Sequence, residues 1–238
     1  MREAVGERRL ILWDIDGTLV HAGPAAREAF DLAVASVLQR EVPDHGISMS
    51  GKTDPQIAVE VMAALEVSEA DAREHLPAVL EGLTRELKAA AHTIREKGRV
   101  HRGVEELLRR LHDHPGVVQS VLTGNLAANA ARKVGAFGLA KWLDLEIGAY
   151  GSDDQDRTRL VPIAIAKAKN RYGVEFSDDD VWIIGDTPRD LAAATAGGAK
   201  CLLVGTGRFP FDELIKEDAD AVLPDLSDVD QVEKLLLG

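Results

Sequence analysis

Residues 8–20 read RRLILWDIDGTLV, an apolar run that ends in two carboxylates followed by a glycine and a threonine. Such a run is typical of a buried parallel strand whose carboxyl end opens onto a site. Because the backbone turns at this point, period-two alternation no longer separates Asp14 from Asp16, and both side chains can reach one ligand. The alternative interpretation is a plain turn, since Asp-Gly pairs are common in turns.

Several downstream segments repeat the apolar run that stops at Gly, Thr, Asp or Asn. The clear strand candidates are 116–125, 181–187 and 199–207, and weaker ones are 144–150 and 219–223. Helical patterns lie between them, at 103–113, 126–135, 159–172 and 188–196. Strands that alternate with helices of this length predict right-handed crossovers and an α/β fold with a doubly wound parallel sheet.

The segment from about Pro24 to Arg95 breaks this alternation. It is rich in Ala, Glu and Leu, and its candidate helices are 24–41, 55–65 and 69–95. The pattern predicts an all-helical cap domain at 23–96, inserted into a core domain formed by 1–22 and 97–238. Because open parallel sheets bind ligands at the carboxyl ends of their strands, we expect this insert to lie over that edge as a lid.

The composition excludes several classes of protein. The 238 residues carry 40 acidic and 28 basic side chains, a net charge of −12, which disfavours a broad nucleic-acid surface. The single cysteine, Cys201, cannot form an internal disulfide, so the cytoplasm is the expected location. No apolar run approaches the roughly 18 residues of a membrane span. Composition contains no information on the oligomeric state.

A second acidic loop follows the strand candidate at 181–187. Asp186 ends an apolar run, and Asp190 comes four residues later. Thr187 and Asp190 also fit a helix N-terminus, and that interpretation is compatible with a site because it puts both acids at the sheet edge. Four carboxylates that converge there would repel one another without a cation. An all-oxygen donor set favours Mg²⁺ over zinc.

A third strand candidate ends in Thr123-Gly124-Asn125. A hydroxyl, an unhindered backbone and an amide at the start of a helix are typical of an anion site. Taken alone, the same residues are an ordinary helix cap. Beside a metal and a nucleophile, they predict a phosphate pocket.

With these motifs in this order, the chain resembles the haloacid dehalogenase superfamily of phosphohydrolases that use an aspartate nucleophile. The helical insert resembles the cap of the phosphoglycolate-phosphatase-like subgroup. The resemblance implies Mg²⁺-dependent hydrolysis of a small phosphorylated metabolite, with phosphoglycolate as one candidate. The motifs that carry it are 14–18, 123–125, a cation near Arg159, and 185–187 with Asp190.

The resemblance also implies roles for single residues. Asp14 would attack phosphorus and carry an aspartyl-phosphate, and Asp16 would protonate the leaving oxygen and later deprotonate water. Asp14, the backbone carbonyl of Asp16 and Asp186 would hold Mg²⁺, with Asp190 in support. Thr123 and Asn125 would bind phosphoryl oxygens. The predicted substrate-binding residues are Gly17, Thr18, Lys52, Gly124 and Asn125.

The resemblance also bears on one cation of the core and one lysine of the cap. The family usually has a lysine before a proline-containing helix, and counting back from Tyr172 puts Arg159 at that position, with Arg157 as the rival. Arginine can neutralise a phosphoryl group there. In the resembled subgroup a Gly-Lys/Arg-Thr-Asp loop reaches toward the substrate, which makes Lys52 the candidate cap contact.

Other classes of protein share part of this pattern. A non-catalytic phospho-acceptor module also clusters acids at a sheet edge, but such modules do not usually carry an inserted cap or an acid two residues beyond the acceptor. Within the same fold, a phosphonate hydrolase would need a Schiff-base lysine in the cap and usually has alanine in place of Asp16. Hydrolytic dehalogenases lack the second acid altogether.

Overall fold

The computed structural model of the protein describes residues 8–238, which contain eight strands. They are β1 (Arg9–Trp13), β2 (Val20–His21), β3 (Arg99–Val100), β4 (Val117–Thr123), β5 (Ala149–Tyr150), β6 (Val181–Gly185), β7 (Lys200–Val204) and β8 (Ala221–Leu223). Within the described residues, six of them form one parallel sheet in the order β5-β4-β1-β6-β7-β8. The predicted α/β class and doubly wound parallel sheet are confirmed.

The helices that connect these strands fall into an inserted group and a core group. The inserted group is α1 (Ala25–Leu38), α2 (Asp54–Ala64), α3 (Glu69–Ala89) and α4 (Ala91–Lys97). The core group is α5 (Val104–Asp113), α6 (Ala127–Ala136), α7 (Leu160–Tyr172), α8 (Pro188–Ala196), α9 (Phe211–Leu214) and α10 (Val229–Leu237).

Both faces of the sheet are buried, as the near-continuous apolar runs require. Along β1 the side chains alternate, so that Ile11 and Trp13 pack on one face and Leu10 and Leu12 on the other. Helices α5, α6 and α10 cover the first face, and α7 and α8 cover the second. The carboxyl ends of the strands are left as the edge at which polar groups can gather.

The inserted helices have a hydrophobic core of their own. Phe30 of α1, Val61 of α2, Leu83 of α3 and Ile94 of α4 are among its buried members. The chain enters and leaves this insert side by side, because β2 and β3 pair as an antiparallel ribbon. The helical insert is therefore observed, whereas a domain division into 1–22, 23–96 and 97–238 stays a prediction.

Two sequence predictions differ from the structure. The helix predicted at 69–95 is divided into α3 and α4, which meet at Ala90. The strand predicted at 144–150 is reduced to β5, because the Glu146 N–H donates to the Asp144 carboxylate and folds that segment into a turn. Among the described residues, no helix is both long and apolar enough to cross a membrane.

Candidate active site

Two neighbouring strands of the sheet end in the acidic motifs. Asp14 follows β1 and Asp186 follows β6, and the Asp14 N–H donates to the Ile184 carbonyl at 2.8 Å. Asp190 lies in the first turn of α8, which begins shortly after Asp186. One carboxylate oxygen from each of these three acids lies within 4.8 Å of the other two, and all three residues are buried. The fold thus brings together three of the four predicted acidic side chains.

Burial and mutual repulsion change the acidity of this cluster. Burial raises the pKa of Asp14 to about 6 against the opposing effect of the Arg157 guanidinium, and the Asp190 and Asp16 carboxylates add to the rise. Burial, followed by the charges of Asp14 and Asp190, holds the pKa of Asp186 well above its ordinary range. The site therefore favours a further positive charge.

The start of α8 explains why Asp190 is held in place. The Thr187 hydroxyl donates to Asp190 Oδ2 at 2.7 Å, and the Thr187 N–H donates to the same oxygen at 3.0 Å. This is a capping box with proline at the start of the helix. The cap and the site are therefore one feature: Oδ2 caps the helix, while Oδ1 pairs with Arg157.

The cluster of Asp14, Asp186 and Asp190 fits a hard divalent cation. Its donors are all carboxylate oxygens, the ligands that Mg²⁺ prefers, and a cation would relieve the repulsion between buried acids. The Asp16 carboxylate is not part of this cluster, because its Oδ2 lies 2.5 Å from Lys133 Nζ. Ligation through the Asp16 backbone carbonyl stays a prediction.

The cation beside the nucleophile candidate is Arg157, and the structure does not bring the predicted Arg159 to this position. Arg157 lies 3.0 Å from Asp14 Oδ1, also pairs with Asp190, and its side chain is only 6% exposed. The Arg159 side chain is 70% exposed, and its nearest carboxylates, 3.7 Å away, belong to the surface turn. The two arginines begin and end a single 3-10 turn, whose geometry sends one inward and the other to solvent.

The loop Thr123-Gly124-Asn125 connects β4 to α6. The Asn125 side-chain amide donates to Thr123 Oγ1 and to Asp16 Oδ2, both at 2.8 Å. Both amide hydrogens are engaged, so the structure does not place the Asn125 side chain as the predicted phosphoryl donor. Thr123 Oγ1 acts as an acceptor in this contact, which leaves its own O–H to donate into the cavity that it lines.

The cap docks onto this same loop. The Asp54 N–H donates to the Gly124 carbonyl at 2.7 Å, and the Thr53 hydroxyl donates to the Gln155 carbonyl at 2.8 Å. Asp54 Oδ2 accepts a hydrogen bond from the Leu126 N–H at 2.8 Å. A carboxylate of the cap therefore occupies the N-terminus of α6, where the sequence predicted a phosphate. Burial is the main cause that raises the pKa of Asp54 to about 6.

A cavity of about 420 Å³ lies between the cap and the acidic cluster. Gly17 lines it with a φ of 93°, and a Cβ there would collide with the Asp186 carboxylate, so glycine is required. Lys52 also lines the cavity, with its Nζ paired to Glu60. Thr18 is buried, and its hydroxyl donates to Asp186 Oδ1 at 3.3 Å, so it contacts a predicted metal ligand instead of the substrate space.

Two residues of this site were missed by reasoning from the sequence. Lys133 is buried against Asp16 and Asn125, and Asp54 joins the cap to the core. Helical periodicity carried a signal for Lys133, because it shares the buried face of α6 with Ala130 and Val134. For Asp54 the sequence indicated only a helix cap.

A family model of known hydrolases matches most of this chain. The model of the haloacid dehalogenase-like hydrolases matches residues 8–198, which include every motif described above. The chain belongs to this hydrolase family. The expectation from the sequence, an enzyme of the haloacid dehalogenase superfamily, is confirmed.

Individual relatives of the haloacid dehalogenase-like chain are distant. A phosphoglycolate phosphatase of Photorhabdus laumondii is 24% identical over 93% of this chain and 90% of its own length. A protein named as a pyrophosphatase, from Caldanaerobacter subterraneus, is 26% identical over 54% of this chain, and the match spans only 56% of that protein. A crystal structure from Clostridium acetobutylicum, described as a predicted phosphatase, covers 98% of this chain and 99% of its own at a TM-score of 0.71 and 20% identity.

Proposed function

We propose that this protein is a Mg²⁺-dependent phosphatase that hydrolyses a small organic phosphomonoester through an aspartyl-phosphate. The observation that carries the proposal is the buried cluster of Asp14, Asp186 and Asp190, with Arg157 against Asp14, at the base of a cavity under the cap. The relatives named phosphoglycolate phosphatase support the same reaction class. Function in the cytoplasm and without nucleic acid stays a prediction.

The residues divide the chemistry as follows. An oxygen of the Asp14 carboxylate attacks phosphorus, the bond from phosphorus to the leaving oxygen breaks, and Asp16 gives its proton to that oxygen. Water then attacks the phosphorus of the aspartyl-phosphate, Asp16 takes a proton from the water, and Asp14 and inorganic phosphate are released. Mg²⁺ held by Asp14, Asp186 and Asp190 would supply charge neutralisation for the phosphoryl oxygens.

Two further groups serve the phosphoryl oxygens. Arg157 would neutralise their charge as it grows during transfer, because its guanidinium already lies 3.0 Å from the attacking carboxylate. The Thr123 hydroxyl would donate a hydrogen bond from the carboxyl end of β4, the strand that pairs with β1 on the side away from β6. Asn125 acts on Asp16 and Thr123 instead of binding phosphate directly.

The residues that line the cavity favour a substrate whose organic part is negatively charged. Arg27, Arg99 and Arg208 line it, and none of them forms an ion pair with a carboxylate of the described chain. The cap side adds the apolar side chains of Phe30 and Ile57. A phosphorylated carboxylic acid such as phosphoglycolate meets these requirements, and Lys52, which also lines the cavity, would contact it.

The test is phosphate release from a panel of small phosphomonoesters, with and without Mg²⁺. Asp14→Asn is assayed beside wild type, with the exposed Asp212→Asn as a matched control. We expect metal-dependent turnover that Asp14→Asn abolishes and Asp212→Asn retains. Absence of release from every ester, with Mg²⁺ bound and the fold intact, would refute the proposal. A long-lived phospho-Asp14 would then favour a phospho-acceptor, and turnover of a phosphonate would favour that alternative.

A further inference from the structure

A buried ammonium group lies beside the predicted acid and base of the reaction. Lys133, in the second turn of α6, has a side chain only 5% exposed. Its Nζ is 2.5 Å from Asp16 Oδ2 and 2.7 Å from Asn125 Oδ1. A charge buried to this degree is costly unless it is paired and hydrogen-bonded, so these contacts are tightly specified.

The chemistry of lysine fixes the direction of every bond in this network. An ammonium can only donate, so the Asn125 atom that faces Lys133 is the carbonyl oxygen Oδ1. The Asn125 amide nitrogen must then face the other way, where it donates to Asp16 Oδ2 and Thr123 Oγ1, both at 2.8 Å. Asp16 Oδ2 consequently receives two donors, one of them charged.

The other oxygen of Asp16 is in a different environment. Among the described residues, no donor forms a hydrogen bond with Asp16 Oδ1, and the Asp16 side chain is 40% exposed where it borders the cavity. A carboxyl oxygen that already accepts a charged donor and an amide is a poor place for a proton. The proton that the reaction needs is thereby directed to Oδ1.

We propose that Lys133 is a positioning residue that, directly and through Asn125, reserves Oδ1 of Asp16 for proton transfer with the leaving oxygen and with water. This inference rests on the proposed phosphatase function. It assigns no contact between Lys133 and the phosphoryl group. Loss of Lys133 should therefore impair proton transfer by Asp16 more than the attack of Asp14 on phosphorus.

Leaving groups separate these two effects. An alkyl phosphate releases an alcohol that must be protonated as the bond to phosphorus breaks, whereas p-nitrophenyl phosphate releases a stable anion that needs no proton. The ratio kcat/KM reports the steps up to transfer onto Asp14, so it isolates leaving-group protonation from later water attack. General acid catalysis typically contributes about 10²- to 10⁴-fold.

The experiment compares Lys133→Met with wild type on both esters, using the best alkyl phosphate from the substrate panel. Lys169→Met, on an exposed lysine of α7, is the matched control. We expect kcat/KM for the alkyl ester to fall at least about tenfold further than for p-nitrophenyl phosphate, in line with loss of acid catalysis. In an Asp16→Asn background, Lys133→Met should add no such selectivity. Lys133→Arg, which retains the charge, should keep part of the activity on the alkyl ester that Lys133→Met loses.

Several results would overturn the assignment. An equal loss on both esters would mean that Lys133 supplies charge to the phosphoryl group, and no loss would mean that its role is structural. Should Lys133→Met fail to fold, Asn125→Ala removes the other donor to the same oxygen and must show the same alkyl-selective loss. If wild type hydrolyses neither ester, the proposed function fails; if it hydrolyses both and the selectivity is absent, only the role of Lys133 fails.

Discussion

Replacing Arg157 with methionine removes the guanidinium that pairs with Asp14 and Asp190 while keeping most of the side-chain volume. Both carboxylates are buried, and Asp186 lies beside them, so the variant leaves uncompensated negative charge in the interior. Breaking a buried ion pair by removing one partner costs about 3–5 kcal/mol. The matched change Arg159→Met affects a side chain that is 70% exposed and should cost less than about 1 kcal/mol.

The assay is unfolding in EDTA, where no divalent cation can take the place of Arg157. For a domain of this size, the Tm falls by about 2–4 °C for each kcal/mol lost from the free energy of unfolding. Arg157→Met should therefore melt roughly 6–20 °C below wild type. Urea titrations should give the same free-energy difference without a change in slope. Added Mg²⁺ should recover part of the loss, because the ion neutralises the same carboxylates.

Activity should follow the same ranking. Arg157→Met is expected to lower phosphatase turnover by at least about tenfold, the effect of roughly 1.4 kcal/mol of lost transition-state stabilisation, while Arg159→Met stays near wild type. The reasoning is refuted if Arg157→Met melts within 2 °C (roughly 1 kcal/mol) of wild type in EDTA, or if Arg159→Met loses as much stability.

Three other perturbations probe the cap and the acidic cluster. Burial raises the pKa of Asp54 from 3.8 to about 6. The contribution of Asp54 to the free energy of unfolding is therefore fully present below pH 3.8 and falls by up to about 3 kcal/mol as the pH rises through 6. Urea titrations of Asp54→Asn in EDTA should show a smaller decline across that window, and an unchanged decline would contradict this. Lys52→Ala should raise KM severalfold or change substrate preference without altering Mg²⁺ binding, and unchanged kinetics over the panel would remove it from the site. Mg²⁺ at 100 times its Kd should stabilise wild type by about 2.7 kcal/mol in thermal scans and Asp186→Asn much less; equal stabilisation would exclude Asp186 as a ligand.

The fold could be predicted from the sequence because the patterns that indicate its strands and helices are local. Strands β1, β4, β6 and β7 are short, largely apolar runs that stop at or directly before Gly, Thr or Asp, and the helices between them show helical periodicity. Helix α8 begins at the predicted Pro188 and ends at the predicted Ala196, because proline and the Thr187–Asp190 capping box specify its start. The helix predicted at 69–95 was less accurate, because the sequence around Ala90 is rich in alanine and contains no local signal for a division there.

By itself the sequence determined that Asp14, Asp186 and the Thr123 loop meet, because the carboxyl ends of parallel strands share one edge. The tertiary structure alone decided which arginine faces Asp14, since one 3-10 turn sends Arg157 inward and Arg159 outward. It also decided that Lys133 fixes Asn125 and Asp16, and that a cap carboxylate occupies the start of α6. The contacts from Lys133 to Asp16 and from Leu126 to Asp54 join residues 117 and 72 positions apart, so they depend on how helices rotate and how the cap docks, which no local pattern encodes.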